Sequence, residues 1–333
     1  MKKLSVIPFS FLILMIVFTL TSCNESTKAP SKPKNLEELS KAIDSNPKDL
    51  VLLSKRAEIY FLNSKFDLAI ADLQQAINIA PDSITYYMRL ADNFMKLGKV
   101  KNALGVLKKV NKIDKDYTDA WLKLGEIHLM FRKYQDVFNY ANKALEADQY
   151  SDMAYFLKAY TYKEMKDTNM AILNFQECLK NNPQNYNANI ELGIIFMSLK
   201  NPLSITYFKN AIAIDPTTVD AYYDLGLYYQ NNDMLNEAID TYKQIEKINP
   251  SFASSYYNIG YIYLELLNIS DKAIPYFTKA INADPSYYKA VYNRGLAYEK
   301  LGDVINAKKD YREALRLKPN YDKAIEGLNR IEN

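Results

Sequence analysis

The chain is poor in the residues that build metal, disulfide and catalytic sites. Its 333 residues include one His, two Cys and only nine Gly. Two Cys cannot form a disulfide scaffold, and one His with two Cys excludes most transition-metal sites. So few Gly argue against an all-β protein with many tight turns. The formal net charge of +3 is too weak to indicate nucleic-acid binding.

What the chain does contain is apolar and aromatic. Hydrophobic residues make up 48% and charged residues 24% of the sequence, and 28 residues are Tyr. This composition can bury a core, and the length would fit about two ordinary domains. The sequence contains no G-x-S-x-G, H-E-x-x-H, Walker or G-x-G-x-x-G motif. We therefore expect a protein that is not an enzyme and has no cofactor, metal or catalytic residue.

The N-terminal segment has the pattern of a secretory signal. Lys2 and Lys3 precede an uncharged, mainly apolar stretch over residues 4–22, which ends in Leu-Thr-Ser directly before Cys23. This ending resembles the lipobox of bacterial lipoproteins. The resemblance implies that residues 1–22 are a cleaved signal peptide and that Cys23 carries diacylglycerol as the mature N-terminal residue.

An uncleaved transmembrane helix is the alternative, because 19 uncharged residues are just long enough to span a bilayer. Pro8 and several hydroxyl side chains weaken that alternative. Without Lys2 and Lys3 the net charge is +1, so acyl chains rather than charge would supply membrane affinity. Residues 23–34 are polar and contain two prolines, which predicts a flexible tether.

Prolines then recur with a period of about 34 residues. Seven of them, separated by 33 to 35 residues or by three times 34, are Pro47, Pro81, Pro183, Pro216, Pro250, Pro285 and Pro319. Within the units, Trp121-x2-Leu124-Gly125 and Tyr222-x2-Leu225-Gly226 occupy the same positions. Period and motif resemble the tetratricopeptide repeat.

The resemblance implies an all-α fold, a right-handed α-solenoid of about eight helical hairpins over residues 47–319. Asn35-x-x-Glu38 resembles a capping box and predicts a short N-terminal capping helix within residues 35–46. Residues 320–333 are expected to form the C-terminal capping helix.

Small residues recur at one position of each first helix, which we number as the eighth of its repeat. They are Ala57, Ala91, Gly125, Ala159, Gly193, Gly226, Gly260 and Gly295. A Gly inside a helix costs about 1 kcal/mol relative to Ala. We therefore expect close packing against the second helix of the hairpin, which carries its own column of small residues.

Two repeats depart from the period. Repeat five is one residue short near Asn201–Pro202, and repeat seven is one residue long near residues 268–270. Both changes are predicted to lie in the turn between the two helices. Pro275 then falls inside a second helix, so we expect that helix to start late or to bend.

His128 and Cys178 are interpreted as packing residues. His128 occupies a position that is aromatic in the other repeats, and Cys178 one that is Ala in most of them. Lysines on one face of repeat two, beginning at Lys101, are interpreted as a solvated outer surface.

In the tetratricopeptide family the second, fifth, ninth and twelfth positions of the first helices line a concave groove. Carried onto repeats four to eight, three of these positions predict an apolar stripe, which we call the aromatic groove: Phe156, Tyr160, Ile190, Ile194, Met197, Tyr223, Leu227, Tyr257, Tyr261, Leu264, Tyr292 and Leu296. Repeats one to three have Glu58, Asp92 and Glu126 at the ninth position, so that end should be acidic. The carboxylate clamp of chaperone-cofactor tetratricopeptide domains needs Lys at the fifth position and Asn at the ninth, and repeats one to three have neither. The alternative for single residues of the stripe is that they pack in the core between neighbouring repeats.

These features predict a membrane-anchored, non-enzymatic scaffold of the bacterial cell envelope, which binds protein or peptide partners and no nucleic acid. Glycan or peptidoglycan binding by the tyrosines is the alternative function, and self-assembly into a homo-oligomer is a third. Asn24 is not the Asp that retains lipoproteins at the inner membrane in enteric bacteria. The outer membrane is therefore favoured if the source is Gram-negative.

Overall fold

The computed structural model describes residues 35–332, which form two compact units, one ending at Ile79 and the other beginning at Ala80. Within this range the chain is helical and has no strand. The predicted signal peptide, Cys23 and the tether lie outside the described residues.

The first unit has three helices: α1 (Leu36–Ser45), α2 (Leu50–Leu62) and α3 (Phe66–Ile79). The Asn35 side chain accepts a hydrogen bond from the backbone N–H of Glu38 at 2.8 Å, which is how a polar residue starts a helix. Arg56 on α2 forms two hydrogen bonds to Asp72 on α3 and a third, at 3.2 Å, to the Ser40 hydroxyl on α1. One guanidinium therefore connects all three helices.

The second unit contains the remaining helices. They are α4 (Ile84–Lys96), α5 (Val100–Ile113), α6 (Thr118–Met130), α7 (Tyr134–Ala147), α8 (Asp152–Glu164), α9 (Thr168–Asn181), α10 (Tyr186–Ser198), α11 (Leu203–Ile214), α12 (Val219–Asn231), α13 (Leu235–Ile248), α14 (Ala253–Tyr261), α15 (Ser270–Ala283), α16 (Tyr288–Lys300), α17 (Val304–Leu317) and α18 (Asp322–Glu332). A π-helical turn, Ile262–Leu266, continues α14.

Helices of the second unit pack on their neighbours in chain order, as hairpins that stack on one another. The first helix of one hairpin also contacts the first helix of the next, as α6 contacts α8 and α10 contacts α12. A lone hairpin cannot bury its apolar face, so each repeat relies on the next. The predicted all-α solenoid fold is confirmed.

The eighth-position glycines allow the two helices of a hairpin to approach closely. A Cβ atom on Gly193 would lie 2.5 Å from the ring of Phe208, and one on Gly260 would lie 2.8 Å from the ring of Phe277. Gly226 faces Tyr242 in the same way. The predicted second column is fully buried as well: Ala69, Ala103, Val137, Ala171, Ser204, Ala238, Ala273 and Ala307. The packing reason is confirmed for the glycines of repeats five to eight, whereas a Cβ on Gly125 in repeat three would first meet Leu157 of the next repeat, at 2.5 Å.

The short repeat is shortened where predicted. Lys200, in the turn after α10, has a φ of 52°, as residues of the other turns do. The Asn201 side chain accepts from the N–H of Leu203 at 3.0 Å, with Pro202 at the helix entrance. Because Pro has no N–H to satisfy, it fits the first turn of a helix.

The long repeat differs from the prediction. The residue with a left-handed backbone in its turn is Asn268, one position later than in the other repeats, so the insertion lies before the turn. The N–H of Leu267 bonds to the carbonyl of Ile262 at 2.9 Å, which places the extra residue in the π-helical turn. The next helix, α15, begins in register at Ser270 and contains Pro275. The expected late start is therefore wrong, and the alternative, a bend at Pro275, stays a prediction.

The last helix packs on repeat eight. Arg330 on α18 forms hydrogen bonds of 2.9 and 3.0 Å to the Glu299 carboxylate, which also accepts from the Tyr311 hydroxyl. Gly327 leaves room for the Tyr311 ring, since a Cβ there would come within 2.6 Å of it. This helix covers the apolar end of α17, as a capping helix does.

We predict that Gly193→Ala lowers the free energy of unfolding by about 1–3 kcal/mol, because the new methyl group overlaps the Phe208 ring. Gly105→Ala is the matched control, since a Cβ on this mid-helix glycine meets no atom within 4 Å. That variant should gain up to about 1 kcal/mol from helix propensity. Urea denaturation followed by circular dichroism measures both. A Gly193→Ala variant as stable as the wild type would contradict this account.

Candidate functional site

The first helices of repeats four to eight carry the predicted aromatic groove. Ten of its twelve side chains are partly exposed: Phe156, Tyr160, Ile190, Ile194, Met197, Tyr223, Leu227, Tyr257, Tyr261 and Leu296. The other two, Leu264 and Tyr292, are buried, with 0% and 8% exposure. These two residues belong to the core. The sequence leaves that alternative open for single residues of the aromatic groove.

The insertion in repeat seven explains the burial of Leu264. One extra residue in a helix turns every following side chain by about 100° around the axis. The π-helical turn therefore moves Leu264 into the core, and the exposed Glu265 follows it at the corresponding place. Sequence alignment by period alone assigns the wrong residue here.

The fifth-position rings rest on the aromatic side chain of their own second helix. Phe156 contacts Phe175 edge-on, with ring centroids 5.5 Å apart, and Tyr257 lies 5.9 Å from Phe277. Tyr292 stacks on Tyr311 at 5.6 Å. These residues form the floor of the groove, and their rings are shared with the core.

The ninth-position side chains lie one turn farther along each helix, and we call them the wall of the aromatic groove. Tyr160 stacks on Phe156 and Tyr261 stacks on Tyr257, each with centroids 6.3 Å apart. Ile194, Leu227 and Leu296 hold the same position in the other repeats, and all five side chains are half-buried.

Charged side chains accompany the wall. Lys163 Nζ lies 4.9 Å from the Tyr160 ring centroid and pairs with the Glu191 carboxylate. Lys123 Nζ is 2.5 Å from the Asp92 carboxylate, so the predicted acidic end is partly neutralised. Burial raises the pKa of Glu126, and the nearby Lys123 opposes that rise.

Asp224 on α12 is the most perturbed carboxylate of the groove. Burial, together with the negative charges of Asp220 and Glu191, raises its pKa from 3.8 to about 6. Among residues 35–332 it has no hydrogen bond and no ion pair. Sequence reasoning missed this residue, because a single Asp in a helix carries no signal of its burial.

His128 and Cys178 lie in the core of their hairpins. His128 Nδ1 is 2.7 Å from the Leu124 carbonyl, and its ring packs 4.9 Å from Tyr140. Cys178 is fully buried, and burial raises the pKa of its thiol to about 12, so the thiolate is disfavoured. The packing interpretation of both residues is confirmed.

Between Asn35 and Glu332 no group of three or more His, Cys, Asp or Glu side chains could hold a metal ion. In the same range, no helix combines the length and the hydrophobicity that crossing a bilayer requires.

Four segments match family models described as tetratricopeptide repeat. They are residues 154–185, 207–240, 253–287 and 288–321. Residues 33–120 match the model of the ChAPs (Chs5p-Arf1p-binding proteins). Three of the four repeat matches coincide with the hairpins α8–α9, α14–α15 and α16–α17.

The curated relatives are distant. The chain is 23% identical over 277 residues to the human protein O-mannosyl-transferase TMTC3, a match that covers 80% of this chain and 30% of that protein. It is also 23% identical to the DnaJ homolog subfamily C member 7 homolog of Schizosaccharomyces pombe, over 94% of this chain and 70% of that one. The chain thus spans less than a third of the first of these relatives.

A solved structure gives the same fold. The C-terminal part of a TPR repeat-containing protein from Cytophaga hutchinsonii superposes with a TM-score of 0.62, at 18% identity. The match covers 72% of this chain and 99% of that structure. At this identity the likeness concerns the fold alone.

We predict that Asp224→Asn stabilises the protein at neutral pH. The folded-state pKa of about 6 exceeds the ordinary 3.8, so the ionised carboxylate destabilises the folded state above that pKa. Removing its charge should raise the free energy of unfolding by about 1–2 kcal/mol at pH 7.5. The gain should shrink as the pH falls through about 6, and most of it should be lost by about pH 4, where the folded-state carboxyl is protonated and the unfolded-state carboxyl is about half protonated.

Thermal unfolding followed by circular dichroism at both pH values tests this. Asp240→Asn, in the same repeat but 74% exposed, is the control and should show no comparable gain. A destabilised Asp224→Asn at neutral pH would show that the carboxylate has a partner that stabilises it.

Proposed function

Because the chain is a tetratricopeptide repeat protein, we propose that it is a non-enzymatic scaffold that holds a protein or peptide partner in the aromatic groove. Proteins of this family generally serve as protein–protein interaction scaffolds, and their fold is typically non-enzymatic. TMTC3 is named as a transferase, but this chain matches only 30% of that protein, so its activity is not assigned to this chain.

The observation that supports the groove is its half-buried wall. Tyr160, Leu227 and Tyr261 present apolar surface on the first helices of repeats four, six and seven, next to polar groups such as Lys163. Apolar stripes with a polar rim suit extended or helical peptide segments. The residues of the proposed groove lie within residues 152–300, which belong to the second compact unit.

Glycan binding gains no support from these contacts. Sugar recognition needs free polar groups that fix hydroxyls, yet the Tyr257 hydroxyl accepts from the Asn293 amide at 3.2 Å. The Tyr242 hydroxyl donates to Gln230 at 3.2 Å. Two of the phenols near the groove are thus engaged within the protein.

We also propose that Cys23 carries the lipid that anchors the scaffold to a membrane of the cell envelope. The support is the sequence alone: two lysines, the apolar stretch over residues 4–22 and the lipobox-like ending. A polar tether then connects the lipid to α1. The outer membrane is the proposed address in a Gram-negative source, since Asn24 is not the inner-membrane retention residue.

The groove is tested by removing the apolar surface of its wall. We expect Leu227→Ser with Tyr261→Ser to abolish partner crosslinking in the native envelope while the helicity stays unchanged, because these two side chains are only half-buried and do not belong to the core clusters of their repeats. Fifth-position residues are unsuitable for this test, since their rings pack on the second helices. Crosslinking followed by mass spectrometry identifies the partners.

Ile305→Ser on the outer face is the matched control, because Ile305 is 83% exposed and far in sequence from the wall residues. This variant should capture the same partners as the wild type. If the double variant also captured them unchanged, the scaffold function of the groove would be refuted.

The anchor is tested at Cys23. We expect Cys23→Ser to lose labelling by an alkyne fatty acid, since the thioether cannot form. Cys178→Ala is the control and should stay labelled, because its buried thiol occupies a position that is Ala in most repeats. A wild-type chain that takes up no label would contradict the lipid anchor and favour the uncleaved transmembrane helix.

A further inference from the structure

The turns inside three neighbouring hairpins expose large apolar side chains. Phe131, Met165 and Leu199 each precede the left-handed residue of their turn, and they are 56%, 48% and 53% exposed. Because the hairpins stack in chain order, these turns follow one another along one side of the second unit, which we call the turn edge: residues 131–133, 165–167 and 199–202. Apolar residues that recur side by side, unlike single ones, indicate a contact surface.

Each apolar residue of the turn edge is followed by a cation. Arg132, Lys166 and Lys200 come next in the sequence, and Lys133 adds a second cation in repeat three. All four side chains are exposed, and within residues 35–332 none of them is in an ion pair. The turn edge therefore presents apolar side chains and available positive charge together.

The backbone of these cations gives an independent argument. Arg132, Lys166 and Lys200 have φ values of 54°, 65° and 52°, in the left-handed region where the turn of repeat two has Gly98. Gly adopts this conformation without strain, whereas a residue with a Cβ adopts it at a cost in free energy. Asn and Asp tolerate it better than Lys and Arg do. Three repeats thus keep a cation where the fold alone would favour another residue, which indicates that the charge has a use outside the fold.

The positive charge is confined to this end of the three hairpins. The turn edge has four basic residues and one acidic residue, Asp167, which caps the next helix by accepting from the N–H of Met170 at 3.1 Å. The loops at the other ends of these hairpins, residues 148–151, 182–185 and 215–218, have two acidic residues and no basic one. The turn edge is therefore the end that complements an anionic surface.

From these observations we propose that the turn edge lies on an anionic phospholipid bilayer, with its cations on lipid phosphates and its apolar side chains among the headgroups. The inference rests on the proposed lipid anchor, which brings the chain to a membrane, and it specifies the contacting face and the lipid class. Residues 23–34 reach at most about 40 Å when extended, so a lipid on Cys23 would hold α1 within that distance of the bilayer.

A bilayer suits the turn edge better than a peptide does. Peptides bind in grooves or along sheet edges, whereas these apolar residues lie on turns, one in each of three hairpins. A membrane surface offers an apolar layer beneath an anionic one, and each turn offers an apolar residue beside a cation. An acidic protein is the competing occupant, and the experiment distinguishes it.

The experiment places a fluorescent probe on the turn edge of the full lipidated chain. Ser198→Cys, next to Leu199, carries the fluorophore NBD in a Cys178→Ala background, and Gln149→Cys carries it at the other end of the hairpins. The chain is reconstituted into vesicles of phosphatidylcholine, alone or with about one third phosphatidylglycerol. Both vesicles contain spin-labelled phosphatidylcholine, which quenches NBD on contact. Flotation isolates the vesicle-bound chain that is measured.

Three variants test the side chains. The first removes the cations of the turn edge: Arg132→Gln, Lys133→Gln, Lys166→Gln and Lys200→Gln. The matched control removes four exposed lysines of α5 and the loop after it, with the same change in net charge: Lys108→Gln, Lys109→Gln, Lys112→Gln and Lys115→Gln. The third is Phe131→Ser with Met165→Ser. Circular dichroism verifies the fold of each variant.

We expect the probe at residue 198 to be quenched in the vesicles with phosphatidylglycerol and not in phosphatidylcholine alone, and the probe at residue 149 in neither. Removing the four cations should lower the ratio of quenched to unquenched probe at least about ten-fold, because each basic residue near an anionic leaflet contributes about five-fold. The Phe131 and Met165 variant should lower this ratio too, and the lysine control should resemble the wild type.

Equal quenching in both vesicle types would overturn the inference. So would quenching that survives the loss of the four cations or of the two apolar side chains.

These outcomes are separate from the fate of the anchor. If Cys23 takes up the alkyne fatty acid and the probe at residue 198 stays unquenched, the anchor stands and the bilayer contact fails. If envelope crosslinking then captures a protein only while the four cations are present, the turn edge binds an acidic protein instead. If Cys23 takes up no label, the anchor fails, whereas quenching that needs phosphatidylglycerol and the four cations still supports the bilayer contact.

Discussion

The contact between an eighth-position glycine and an aromatic ring holds each hairpin of repeats five to eight together. In repeat five, Gly193 leaves the space that the Phe208 ring fills, and Gly260 and Phe277 do the same in repeat seven. The glycine lowers helix propensity, and the buried ring more than offsets that cost by the apolar area it removes from water. Stacking of hairpins then follows, because a single hairpin leaves its outer apolar face exposed.

The same contact determines what the groove can be. The aromatic ring of the second helix also supports the fifth-position side chain, as Phe277 supports Tyr257. The floor of the groove is thus an extension of the core. The half-buried wall residues Tyr160, Leu227 and Tyr261 are the ones that we propose contact a partner.

Much of the fold could be predicted from local pattern. The period, the small-residue columns and the Asn35 cap predict helices where the structure has them, because each depends on neighbours within one or two repeats. The insertion of repeat seven was misplaced, since an extra residue in a turn and one in a π-helical turn produce the same period. Because of this ambiguity, the sequence predicts Leu264 in the groove, whereas the structure has it buried in the core.

The sequence by itself determined the all-α repeat architecture and the packing roles of His128 and Cys178. Those features follow from residue type at a regular spacing. Only the tertiary structure decided which stripe residues remain exposed and that Asp224 is half-buried without a cation. The burial of a side chain and its ion pairs depend on side chains from neighbouring hairpins. The distances to those side chains cannot be derived from the spacing of residues along the chain.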